Sequence, residues 1–232
     1  MIIYRLQLRM LATRGRLFAL GALGLLGIAL AFTVRGSFDA DNAAFRLISA
    51  YGLAGLVPVT TLVMAAASLG DLAEDATLVH FWLRPVPRWK IAVASWLAAL
   101  TLCVPLSVVP MTVAAFVCGV GTKFVVGTFL ASLLGALAYA ALFVGFGLRV
   151  QRALAWGLAY VLIWEGAIAS AGAGLSRIAV RGYTRSILRT FSNGDINVKH
   201  AVSRPVALVV LILVTAVGLM FATRRLQRTD VA

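Results

Sequence analysis

Apolar residues in this chain do not alternate with polar ones; they come in long runs, and the polar positions gather between the runs. The runs cover about residues 17–34, 47–69, 91–117, 124–148, 153–175 and 205–223. A helix needs about 20 residues to cross a hydrocarbon layer of about 30 Å, and the six runs lie near or above that length. In lipid, an isolated run of this kind satisfies its backbone groups only as a helix. The pattern therefore predicts an all-α integral membrane protein: one transmembrane domain over 1–232, with six transmembrane helices.

The connections add three further elements. In MIIYRLQLRMLATRGR, Arg5 and Arg9 share one helical face and Ile2 and Leu6 share another, which predicts an N-terminal helix lying in the membrane interface. The first run has the basic flank and the Ala29-Leu30-Ala31 site of a secretory leader, but its length and the runs that follow mark it as a span. Between spans 2 and 3, a helix would align Leu72, Ala76, Val79 and Leu83 and place Glu74, Asp75 and Thr77 elsewhere, ending at Pro85 and Pro87. Trp82, Trp89 and Trp96 suit the interface belt. Between spans 5 and 6, Arg177, Arg181, Arg185 and Arg189 recur every four residues. A helix there would lie on the outer surface with a basic stripe, facing solvent or anionic groups.

Composition agrees with lipid as the solvent: 62% of residues are hydrophobic, 12% are charged, and mean hydropathy is +0.97. Soluble domains are roughly 25% charged. The net charge of +13 suggests a nucleic-acid binder at first. The basic residues, however, are scattered between apolar runs rather than gathered on one face, so nucleic acid is excluded as a partner and anionic membrane lipid is implied. With the N-terminus inside, twelve basic residues fall on inner segments and nine of the 21 on outer ones, which favours cytoplasmic N- and C-termini. Lys90, Lys123 and Lys199 are the only lysines, leaving 18 arginines of 21, a bias of GC-rich bacterial genomes.

Candidate chemistry is sparse. Cys103 and Cys118 lie fifteen positions apart on one predicted helix, about 22 Å, too far to pair within one chain. With His80 and His200 as the only histidines, no metal site is expected. Pro58, Pro105 and Pro110 lie within spans and invite kinks. Gly21, Gly24 and Gly27, and Gly127, Ala131 and Gly135, form small-residue rows that suit close helix contacts, within one chain or between two copies. Glu165 is the one acid well inside an apolar run. It is protonated, paired or facing a protein or water cavity, at a gate or substrate path or bonded to a neighbouring helix, or it lies near the outer interface because span 5 ends early. It stands without the convergent groups that a membrane-embedded enzyme needs, and no catalytic residue is expected.

Two segments carry a family resemblance. Glu74-Asp75-Ala76-Thr77, Leu78, then Arg84-Pro85-Val86-Pro87-Arg88, Lys90 and Ile91 resemble the loop between spans 2 and 3 of ABC-2 type transporter permeases. Ala76 stands where that loop has Gly, and Pro87 where it has Ser. Trp164, Glu165, Leu175, Ser176 and Tyr183 are similar to the family's span-5 element. The resemblance implies a permease subunit in the bacterial plasma membrane, exporting its substrate. Glu74, Asp75, Thr77, Arg84 and Arg88 would form a cytoplasmic coupling helix that docks on a separately encoded ATPase. Two ATPase copies would bind ATP and magnesium, and a second permease copy, identical or related, would complete the path. The chain has no G-x-x-x-x-G-K-[ST], so no nucleotide cofactor is expected on it. The alternatives are an ATP-independent channel or secondary carrier, and a membrane-embedded enzyme.

Overall fold

The apolar runs fold as helices. The computed structural model describes residues 2–74, 87–148, 153–168, 179–192 and 202–228, and every regular element among them is helical. The order is α1 (Ile2–Leu11), α2 (Arg14–Val34), α3 (Ala40–Leu47), π1 (Ile48–Leu56), α4 (Val57–Glu74), α5 (Arg88–Cys103), π2 (Val104–Val108), α6 (Val109–Cys118), α7 (Thr122–Gly147), α8 (Ala153–Ala159), π3 (Tyr160–Ile168), α9 (Val180–Thr190) and α10 (Arg204–Arg228). Five stretches are long and apolar enough to cross a membrane: Arg14–Val34, Ala40–Leu69, Arg88–Cys118, Thr122–Gly147 and Arg204–Gln227. The run beginning at Ala153 is helical to Ile168, and its expected end at 169–175 lies outside the described residues.

The helices run on through the prolines. Pro58 follows π1, Pro105 lies inside π2, and Pro110 is the second residue of α6. Proline removes one backbone donor and crowds the carbonyl four residues back. The wider π turn moves that carbonyl away, so helix runs on through both sites.

Small residues set the spacing between helices, and the glycine rows are spent inside the chain. A Cβ on Gly24 would sit 2.9 Å from Pro110, and those on Gly27 and Gly52 would meet Met111, which seats α2 and π1 on α6. On α7, Gly127 lies under Phe191 and Gly135 under Thr184, so that row carries α9. Gly147 abuts the Ala66 backbone, and Gly218 of α10 abuts the Ala141 backbone. Such close approach is how helices associate in lipid, where apolar burial gives little net drive.

Hydrogen bonds between helices complete the frame. Tyr51 Oη donates to the Leu23 carbonyl at 2.6 Å, and Trp96 Nε1 to the Leu137 carbonyl at 3.1 Å. One end of the bundle, here proximal, gathers the start of α5 and the end of α10, because Arg88 Nη1 donates to the Leu226 carbonyl at 2.8 Å. The end of α7 joins them there through Gly145, packed on Phe221. The distal end gathers the end of α2, the end of α6 and the start of α7, whose Phe32, Phe116 and Thr122 line a cavity of about 430 Å³.

Helix α1 packs along α5 rather than standing alone. Gln7, 1% exposed, donates from Nε2 to Ser95 Oγ at 2.7 Å, and Tyr4 Oη bonds Thr101 Oγ1 at 2.8 Å. Arg5 and Arg9 keep their exposed face. Gln7→Ala is expected to cost about 1 kcal/mol, in the range of polar contacts between membrane helices. It should also speed tryptic cleavage after Arg9, read by timed gels. Unchanged cleavage would mean that α1 is held by apolar contact alone.

Candidate functional site

The site forms around a helix start that lacks a cap of its own. The residue before α9 is Ala179, in extended backbone, and it has no side-chain oxygen to receive the first free N–H groups of the helix. Glu165, on π3, supplies them. Its Oε1 accepts from the Val180 N–H and its Oε2 from the Arg181 N–H, both at 3.1 Å. The carboxylate thus sits at the positive end of the helix dipole, where a negative charge is favoured. Arg181 returns the contact, donating from Nη1 to the Glu165 carbonyl at 3.1 Å. Tyr160 Oη donates to Oε1 at 3.4 Å. Glu165 is fully buried by these partners.

Aromatic packing places this cluster well inside the bundle. Tyr160 meets Phe143 edge to face at 6.3 Å, and Phe143 stacks on Tyr139 at 6.0 Å. Tyr139 is seventeen residues from Thr122 at the distal start of α7 and eight from its end at Gly147. At 1.5 Å per residue those distances are about 26 Å and about 12 Å. The carboxylate is buried within the bundle. Tyr139 Oη is fully buried and has no hydrogen-bond partner among the described residues; the Glu165 carboxylate is its charged neighbour.

A helix between spans 5 and 6 is present over Val180–Thr190. Helix α9 starts beside Glu165 and runs outward along α7, with Thr184 at Gly135 and Phe191 at Gly127. Arg204 then stacks over Phe191 at 4.9 Å, and Ser186 Oγ accepts the Val202 N–H at 3.1 Å. Val180, Thr184, Ser186, Ile187 and Leu188 form the buried face of α9, while Arg189 and Thr190 are exposed. The described arginines differ in exposure along the helix. Steps of four residues turn 400°, so each arginine is displaced about 40° from the last. Arg181 and Arg185 are half-buried and Arg189 is exposed. Burial, and then the Arg181 charge, lower the pKa of Arg185 from the usual arginine value.

The expected coupling residues are only partly visible. Glu74 ends α4 and Arg88 begins α5, bonded to Leu226. Asp75, Thr77 and Arg84, with the amphipathic helix expected around them, lie outside the described residues, as does Arg177. Among the described residues no cluster of His, Cys, Asp and Glu is fit to hold a metal. Sequence reasoning missed Tyr139, Tyr160 and Ser186. A tyrosine inside an apolar run was the available signal, because its hydroxyl needs a partner when buried. No protein-family model matches the chain, and no curated protein matches it.

Proposed function

We propose that this chain is the membrane-spanning subunit of an ABC transporter of the ABC-2 type, moving its substrate outward across the bacterial plasma membrane. In this reading the run from Ala153 forms a sixth crossing, the proximal end is cytoplasmic, and two permease copies enclose the path. The chain itself is not an enzyme; ATP and magnesium are handled by two copies of a partner ATPase.

The observation that carries the reading is how the connection between α4 and α5 is anchored. It leaves α4 at Glu74 and re-enters at Arg88, whose guanidinium is fixed to the Leu226 carbonyl of α10. A push on this connection reaches α4, α5 and α10 together, and α4 and α10 both pack on α7 through backbone contacts at Gly147 and Gly218. A segment driven by a soluble motor needs such a rigid link to the bundle. The proximal helix ends also carry Arg14, Arg16, Arg88, Lys90, Arg224 and Arg225, a cytoplasmic pattern.

The test is co-purification with the products of neighbouring genes in mild detergent. An ATPase should be retained in matched stoichiometry, and Glu74→Ala with Arg88→Ala should reduce that retention about tenfold or more, the loss of charge-assisted contacts. Retention unchanged by both substitutions would remove the coupling role of this connection. A second reading, an ATP-independent carrier, draws on the helix α9 that starts inside the bundle on a buried carboxylate, since interrupted helices often line transport paths. Substrate flux with no ATPase bound would favour it.

A further inference from the structure

Among the described residues, charge is not balanced around α9. Both oxygens of Glu165 are occupied by backbone N–H groups, and Arg181 spends one nitrogen on the Glu165 carbonyl. Arg181 Nε remains buried without a partner. Arg185, one turn further out, has no hydrogen bond or ion pair among the described residues, although its Nε is buried too. Its charged neighbour is Arg181, of the same sign. Among the described residues, two guanidinium groups and one carboxylate leave an excess positive charge here. Arg185 follows Thr184, which packs on Gly135, thirteen residues or about 20 Å along α7 from its distal start. A half-buried cation beside a second one is costly unless an anion meets it.

The chemistry of the surroundings narrows the anion. A planar guanidinium matches phosphate and carboxylate oxygens in pairs. Exposed apolar side chains, Leu162 and Ile163 of π3 among them, lie on the outer surface of the bundle, so an oxyanion carried on an apolar body fits better than a bare ion. We propose that Arg185, backed by Arg181, receives the phosphate of an anionic amphiphile that reaches α9 from the distal side. This site does not depend on a partner ATPase, and its test does not use one.

The experiment is thermal unfolding of the purified full chain in a neutral detergent. Added dioleoylphosphatidylglycerol, dioleoylphosphatidylcholine and inorganic phosphate are compared for wild type, Arg185→Gln and the exposed control Arg189→Gln. Phosphatidylglycerol should raise the midpoint of wild type and of Arg189→Gln, with half-saturation roughly tenfold weaker in Arg185→Gln, the loss of one charge-assisted contact. In lipid-free detergent Arg185→Gln should unfold at the same temperature as wild type or higher, because it removes an unbalanced cation. An equal shift from inorganic phosphate, lost in Arg185→Gln, would support the site with a soluble oxyanion as its source. The proposal is overturned by an equal response of wild type and Arg185→Gln to phosphatidylglycerol, or by an equal shift with phosphatidylcholine. A lipid-free Arg185→Gln that is destabilised or fails to fold would overturn it too, since Arg185 would then be holding the fold.

Discussion

Glu165→Ala is expected to destabilise the protein by about 3 kcal/mol and to free the start of α9. Two backbone N–H groups, of Val180 and Arg181, would lose their acceptor in a place water does not reach. A buried donor left unmet costs about 1–3 kcal/mol, and loss of a helix cap alone costs about 1 kcal/mol. The substitution also removes the negative charge that faces both the helix dipole and Arg181. Glu165→Gln keeps one acceptor oxygen and should cost about half as much. Glu165→Asp withdraws the carboxylate by one methylene and should resemble alanine more than glutamine. The measurement is denaturant unfolding in fixed detergent, with hydrogen exchange at residues 180–183. A faster exchange confined to those amides identifies loss of the cap. Exchange unchanged in Glu165→Ala would mean that α9 is started by packing on α7 and not by the carboxylate.

How much of this was legible beforehand follows from what each feature depends on. The helical class and the long apolar helices depend on run length, which the chain displays in one dimension. The end of α4 at Glu74 and the start of α5 at Arg88 frame a polar connection that composition marks, though Asp75, Thr77 and Arg84 lie outside the described residues. Helix α9 was readable as a helix from its spacing, but its buried face was not. That face is selected by Gly127 and Gly135, about 50 residues earlier on α7, which admit Phe191 and Thr184. The partner of Glu165 was hidden for a different reason. It is the backbone of residues 180 and 181, and any residue there would present the same N–H groups. The glycine rows were visible as contacts without an address; only the packing shows them meeting Pro110, Met111, Thr184 and Phe191 inside one chain.

Gly147→Ala is expected to cost about 2–3 kcal/mol, the range for overpacking a site that cannot yield. The new Cβ would lie 2.6 Å from the Ala66 carbonyl oxygen and 3.2 Å from the Ala66 carbonyl carbon and Cα. These are backbone atoms, so relief requires α4 to move away from α7. Gly157→Ala separates true crowding from mere proximity. Its Cβ would come closer still to Leu62 Cδ1, but that atom ends a flexible side chain that can turn aside. It should cost less than Gly147→Ala, despite the shorter approach. Gly15 sits in open space at the start of α2, and Gly15→Ala should be neutral or stabilising by up to about 1 kcal/mol through helix propensity alone. Unfolding midpoints of the three variants, measured side by side, give the order. If Gly147→Ala proves as mild as Gly157→Ala, α4 and α7 slide past one another at the proximal end. The rigid path from the Glu74–Arg88 connection into the bundle would then be lost, and with it the main support for a motor-driven mechanism.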